Sequence, residues 1–153
     1  MEINLSCGAV AEIDNEDFEK IKGHTWRLNS RGYIVTWLRV DKKKKAVLMH
    51  RLIMGVDKEP VVVDHVDHNK LNNRKSNLRI CSNAENLRNR VVSKNNKLGA
   101  KGIYKVNNKF RVRIVANKTN YNLGSFESLE EAKIVYWEAA KKLHGTFAYA
   151  GAK

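Results

Sequence analysis

An α+β protein is predicted, with a β-rich leader, a short strand–loop–strand–helix unit, and a small three-stranded antiparallel sheet packed on one helix. Three observations predict it. Runs of β-branched and aromatic residues alternate with Asn- and Gly-containing turns. Two Ser-x-x-Glu capping boxes each open a helix. Residues 110–114 alternate apolar side chains with arginines at period two, as a half-buried strand requires. At 153 residues, 42% hydrophobic and 29% charged, the chain has the size and composition of one ordinary domain or two small ones.

The leader covers residues 1–58. Residues 32–40, Gly-Tyr-Ile-Val-Thr-Trp-Leu-Arg-Val, read as a strand. Asp41 and Lys42 to Lys45 turn the chain, and residues 46–50 return as the second strand of a hairpin. The four lysines either touch phosphate or are simply solvated.

Residues 59–92 form the next segment. A strand over 61–65 ends in Asp64 and His65, a polar loop runs from 67 to 76, and a second strand covers 78–81. Ser82-Asn83-Ala84-Glu85 then starts a helix, its hydroxyl and carboxylate each satisfying an orphan backbone N–H of the other's end. Residues 93–98 are polar and serve as a linker. In 99–153, strands are expected over 102–106, 110–116 and 120–126, with turns at 107–108 and 117–119 because Asn tolerates positive φ. Phe110, Val112 and Ile114 face a core, and Arg111 and Arg113 face away. Ser128-Leu129-Glu130-Glu131 caps the last helix, whose Ala132, Val135, Tyr136, Ala139, Ala140 and Leu143 recur at helical spacing. Gly145 stops it.

Charge narrows the function. The formal net charge is +13. It is not spread evenly: residues 1–40 carry six acids and five bases, and residues 41–153 carry ten acids and 24 bases. So dense an excess repels itself and points to a polyanionic partner, nucleic acid before membrane, since no basic amphipathic helix is visible. Apolar runs are far too short to span a bilayer, and no secretory leader opens the chain. Cys7 and Cys81 stand alone, which excludes a disulfide framework and a structural zinc site. A reducing cytoplasm is the expected location.

The candidate chemistry lies at 64–86. Asp64 and His65 are adjacent at a strand end, so their side chains leave on opposite sides. A carboxylate suits Mg²⁺ and an imidazole suits general-base work near neutral pH. Asn86, in the first turn of the capped helix, offers an amide oxygen to the same cation, and Asn77 could fix the imidazole tautomer. The residues alone also fit a plain turn, with Asn77 making an Asx turn.

The string Asp64-His65-Val66-Asp67-His68-Asn69-Lys70-Leu71-Asn72-Asn73-Arg74-Lys75-Ser76-Asn77-Leu78-Arg79, followed by Asn83 and Asn86, resembles the HNH endonuclease motif of phage and intron-encoded homing endonucleases. Met49-His50-Arg51-Leu52 resembles the segment these proteins carry just upstream, and the likeness covers most of 5–90. The resemblance implies a ββα-metal nuclease module hydrolysing DNA. Asp64 and Asn86 would hold one divalent cation, Mg²⁺ or Mn²⁺. His65 would be the general base and Asn77 would orient it. Asn72, Asn73, Arg74 and Lys75 would meet phosphates. His68 stands where relatives often have Gly and is read as a loop residue or a phosphate contact; His50 is read as structural. Asn86 replaces the His that closes the motif in other branches.

The last segment resembles a second family, the ethylene-response-factor (APETALA-type) DNA-binding domain, also found at the C-terminus of homing endonucleases. Lys101-Gly102-Ile103-Tyr104, Tyr121-Asn122-Leu123-Gly124-Ser125-Phe126, Glu130-Glu131-Ala132 and His144-Gly145-Thr146-Phe147 carry it, over about 99–150. It implies that Lys101, Tyr104, Arg111, Arg113, Asn120 and Asn122 face duplex DNA. The plant pattern has more Arg and Trp on that face, so base preference does not carry over. The expectation is a monomeric, site-specific endonuclease in a bacterial or phage-infected cell. Its rivals are a non-catalytic DNA-binding regulator on the same scaffold and an RNA-binding protein.

Overall fold

Antiparallel pairing of short strands, each backed by few helical turns, organises the chain. The structure, a computed structural model, describes residues 1–40, 42–56, 60–93 and 95–149, with the side chain of residue 40 left aside. Asp41 of the expected turn, the boundary expected at 58–59, position 94 of the expected linker, and the end of the last segment beyond 149 lie outside the described residues. Contacts divide the chain into two units, Met1–Asn83 and Ala84–Lys153. Leader and strand–loop–strand share the first unit. The helix after them, from Ala84, groups with the C-terminal sheet.

In the first unit, β1 (Glu2–Asn4) pairs with β2 (Val10–Glu12), and a single-turn helix α1 (Phe18–Ile21) follows. β3 (Arg27–Leu28), β4 (Ile34–Val40) and β5 (Lys43–Leu48) form a three-stranded antiparallel sheet. The hairpin is therefore tighter than expected. Lys43 to Lys45 are not in a turn but pair with Val40, Arg39 and Leu38, while Lys42 takes a φ of 63°. The return strand also ends early, because residues 49–53 coil into α2 (Met49–Ile53). Met49 and Ile53 are one helical turn apart, and both are buried, at 0% and 2% exposure. A strand would have sent His50 and Met49 to opposite faces; the helix buries both. Arg51 then donates to the Val61 carbonyl at 2.8 Å and fixes the approach to the next strand.

β6 (Val62–His65) and β7 (Leu78–Cys81) pair antiparallel. Val63 and Leu78 sit in the same buried cluster as Leu5, Ala11, Ile13, Trp26, Ile34 and Met49. Each such aliphatic side chain contributes about 1.5–3 kcal/mol on burial, so leader and strand pair are held by one core. β2 adds backbone bonds of its own: Glu12 N–H donates to Leu71 O at 2.8 Å, and Asn73 N–H to Glu12 O at 2.7 Å.

In the second unit, α3 (Asn83–Asn89) begins one residue after Ser82, where the capping sequence placed its start. β8 (Ile103–Val106), β9 (Lys109–Ala116) and β10 (Thr119–Phe126) form a sheet in the order β10-β9-β8. Asn107, Asn117 and Lys118 take φ of 54°, 50° and 64° at the two turns. Val112, Ile114 and Ala116 are buried while residues 109, 111, 113 and 115 are exposed, the alternation the sequence predicts. α4 (Leu129–His144) covers the buried face, with Ser128 Oγ accepting from Glu130 N–H at 3.2 Å and Gly145 at φ 55° ending it. Among the described residues no helix is long and apolar enough to cross a membrane.

Candidate active site and nucleic-acid interface

The β6–β7 register sets Asp64 opposite Arg79 and His65 opposite Leu78. Arg79 donates to Asp64 Oδ2 from Nε at 3.1 Å and from Nη2 at 2.8 Å. Both side chains are largely covered, so the pair fixes the carboxylate at the strand tip. Removing one partner of such a pair typically costs about 3–5 kcal/mol.

Side-chain amides shape the loop 66–77. The Asp67 carboxylate accepts from Asn69 N–H at 2.7 Å, Asn72 Nδ2 at 2.9 Å and Asn77 Nδ2 at 2.8 Å. Burial pushes this carboxyl up, but the bonds from Asn72, Asn69 and Asn77 outweigh it and hold it below its ordinary range. Asn77 also donates to Asn72 O at 2.8 Å and accepts from Asp67 N–H at 3.0 Å. Its carboxamide therefore closes the loop instead of orienting His65. The reason is its place: Val66 N–H bonds to Asn77 O at 2.9 Å, which sets Asn77 beside the loop's entry. His68 has a φ of 64°, the conformation for which a Gly would be the easier choice.

His65 is 4% exposed. Its Nε2 lies 3.4 Å from Asn73 Oδ1. Asn73 Nδ2 donates to Lys70 O at 3.0 Å, which turns the amide oxygen toward the ring. That orientation assigns the proton to Nε2 and leaves the lone pair on Nδ1. The His50 ring meets His65 edge-on at 4.9 Å, and Tyr33 sits 5.4 Å and 6.2 Å from the two rings. Burial lowers the His65 pKa below the ordinary histidine value, against the opposing pull of the Asn73 bond and the charges of Asp67 and Asp64. His50 is pushed down to about 3 by burial, then by His65 and Arg51. Both imidazoles are neutral near pH 7.

The residues expected on phosphate are engaged inside the protein. Asn73, 1% exposed, is the partner of His65 and not a surface contact. Asn72 holds Asp67. Arg74 pairs with Glu12, and Lys75 pairs with Glu16 and, at 3.2 Å, with Asp17. The acids come from the leader, which β2 docks against the loop through a bridge between Glu12 and Asn72. Arg74 and Lys75 remain 44% and 41% exposed, and exposed pairs of this kind contribute about 1 kcal/mol or less.

On the second unit's sheet, Tyr104, Arg111, Arg113, Asn120 and Asn122 are exposed, as expected. Register sets Tyr104 opposite Arg111 and Arg113 opposite Asn122. Arg113 donates from Nε at 3.0 Å and Nη2 at 2.5 Å to Asn120 Oδ1. Lys101 differs from expectation. Its Nζ donates to Arg88 O at 2.9 Å, satisfying a carbonyl of the last turn of α3, and lies 4.9 Å from the Tyr149 ring. Burial, with the charge of Arg90, lowers it to about 8.

Among the described residues no group of three His, Cys, Asp or Glu could hold a metal ion. The hard-oxygen donors of the motif are Asp64, fixed by Arg79, and the half-buried Asn86 on α3. A carboxylate and an amide are each oxygen donors of the kind a hard cation such as Mg²⁺ or Mn²⁺ takes; Asp64 belongs to the first unit and Asn86 to the second.

A family model described as HNH endonuclease matches residues 47–88. A protein of Acanthamoeba polyphaga mimivirus described as an uncharacterized HNH endonuclease is 29% identical over 142 residues, spanning 92% of this chain and 74% of its own length. Protein 3.8 of Escherichia phage T7 is 34% identical over 88 residues, 56% of this chain and 72% of its own. A solved structure titled DNA binding and cleavage by the HNH homing endonuclease I-HmuI is similar with 22% identity and a TM-score of 0.40, covering 88% of this chain and 80% of that one.

Proposed function

Because a family model described as HNH endonuclease matches residues 47–88 and a mimivirus protein so described is similar over 142 residues, we propose that the chain hydrolyses phosphodiester bonds of duplex DNA at specific sites, as a homing-type nuclease. The observation that carries this reading is the placement of His65: buried, its pKa lowered by that burial, its Nε2 3.4 Å from Asn73 Oδ1; with the proton assigned to Nε2, Nδ1 keeps a lone pair. In this reading Nδ1 takes a proton from water as that water attacks the scissile phosphorus, and the 3′ oxygen leaves. General-base assistance of this kind is worth ~10²–10⁴-fold. Asn73 holds the tautomer, and His50 and Tyr33 pack near the ring.

Asp64 and Asn86 would hold one divalent cation, Mg²⁺ or Mn²⁺. When bound, it would supply electrostatic stabilisation to the charge gathering on the phosphate and leaving oxygen. Arg79 keeps Asp64 in place for that task. Arg74 and Lys75 are proposed to exchange their weak leader pairs for backbone phosphates. Tyr104, Arg111, Arg113, Asn120 and Asn122 are proposed to meet the duplex from an ethylene-response-factor-like sheet, where arginine and amide side chains suit phosphates and base edges.

The test is incubation of supercoiled plasmid with the purified protein, with Mg²⁺, Mn²⁺ or a chelator. The expected outcome is cation-dependent conversion to nicked or linear DNA. Intact plasmid under every condition, on DNA that the protein demonstrably binds, would favour the regulator reading.

A further inference from the structure

A cleft in the second unit is lined by α3 and by the C-terminal end of β9 with the turn that follows it. Its volume is about 720 Å³, and Arg88, Lys101, Gly102, Tyr104, Arg113, Lys118 and Tyr136 are among the residues that line it. Among the described residues no Asp or Glu lines it. Four cations therefore share one concavity without a carboxylate. Their side-chain hydrogen bonds go to neutral oxygens: Arg88 Nη2 donates to Asn117 Oδ1 at 3.3 Å, Arg113 to Asn120 Oδ1, and Lys101 to the Arg88 carbonyl. Among the described residues none of the four makes an ion pair. The first unit treats its loop cations the opposite way, pairing Arg74 and Lys75 with the leader's acids.

The effect of this uncompensated charge is visible on neighbouring groups. His144, also in the lining, is lowered by burial and then by the charges of Arg88 and Lys101. Concentrated positive charge against low-dielectric walls attracts anions, and an anion there would relieve the mutual repulsion. Tyr104 and Tyr136 wall the cleft, so a compact tetrahedral anion fits its chemistry better than an extended acidic peptide.

We propose that this cleft is a phosphate-binding site that seats the backbone of duplex DNA, with Arg88 and Lys118 as its specific contacts. Arg88 is on α3 and Lys118 is in the β9–β10 turn, so both lie apart from the exposed row of Arg111, Asn120 and Asn122. Arg113 lines the cleft and is also paired with Asn120 of that row. The cleft would thereby continue the phosphate track from the sheet toward the helix that carries Asn86. The proposal rests on the reading that the chain binds DNA.

The test measures duplex affinity against salt for the full chain, for Arg88→Gln/Lys118→Gln, for Arg88→Lys/Lys118→Arg, and for Arg111→Gln. Melting of each variant checks that it folds. Each lost phosphate contact lowers the slope of log K against log salt by ~0.9, so the double Gln variant should lose about 1.8 in slope. The charge-retaining variant should recover most of it. An unchanged slope in the double Gln variant, with a reduced one in Arg111→Gln, would overturn the cleft and leave DNA binding intact. Inorganic phosphate forms a second arm. Protection of the cleft by millimolar phosphate, lost in the double Gln variant without any change in the DNA slope, would make it a free-anion site and also overturn the proposal. No duplex binding by any form, the parent included, would remove the functional reading beneath it.

Discussion

His65→Ala is expected to lower the single-turnover cleavage rate by ~10²–10⁴-fold while the dissociation constant for duplex DNA stays within about twofold. The asymmetry follows from where the ring sits. His65 is 4% exposed, its Nε2 faces Asn73 and its ring packs on His50, so on the proposed reading it serves proton transfer and lies outside the cationic surface proposed to hold DNA. Truncation also leaves a cavity beside His50 and Tyr33, and a buried aromatic lost to Ala typically costs about 3 kcal/mol or more. A melting curve therefore belongs beside the rate. His65→Gln keeps more of the volume and an amide for Asn73, and it should melt closer to the parent while cleaving as poorly as Ala. Equal loss of cleavage and affinity in both variants would reject His65 as a base.

Gly102→Ala is expected to unfold the second unit's sheet. Gly102 takes a φ of 63°, and a Cβ there would sit 2.2 Å from the Arg113 carbonyl oxygen and 2.4 Å from Tyr136 Cε2. Neither neighbour can yield cheaply. The carbonyl is strand backbone, and Arg113 N–H already donates to Gly102 O at 2.8 Å; Tyr136 packs in the unit's core with Val112 and Ala132. Left-handed backbone strain of about 1 kcal/mol and overpacking of about 1–3 kcal/mol add up in a unit with a small core. Thermal melting followed by near-ultraviolet dichroism of the aromatic residues would check it. A variant that melts with the parent would show that the approach of β8 to β9 is looser than described.

What the sequence disclosed and what it hid separate along physical lines. Local signals were legible. Ser128, Gly145 and the alternation of Val112 and Ile114 with Arg111 and Arg113 each depend on neighbours a few residues away, and the structure places α4 and β9 where they indicate. The strand pair ending in Asp64 and His65, and the helix after Ser82, were legible for the same reason. Long-range partners were not. Asn73 and Asn77 look alike in a polar loop, yet Asn73 reaches His65 and Asn77 reaches Asp67, a choice made by the docking of Glu12 from far upstream. Glu12 and Glu16 are plain in the sequence, but only the fold shows that they meet Arg74 and Lys75. Arg79 against Asp64 follows from the register of β6 on β7, which a loop of uncertain length conceals. Lys43 to Lys45 illustrate the reverse error: charge reads as a turn, while an edge strand accommodates lysine equally well. His50 reads as a strand residue because its run is short and apolar, a pattern that period alone does not resolve from one helical turn.

The central claim is that a neutral, buried imidazole accepts the proton from water, and the pH dependence of kcat/KM tests it most directly, since that ratio reports the essential groups of the free enzyme. Burial lowers the His65 pKa from its ordinary 6.5, against the partial opposition of Asn73 and the neighbouring carboxylates. Lowering a base's pKa keeps it deprotonated to more acid pH, so the acid limb of cleavage should be centred below pH 6.5, with a slope of one proton. The His65→Gln variant should lack that limb. A limb centred at or above pH 6.5, or the same limb surviving in His65→Gln, would assign the proton to another group and contradict the account.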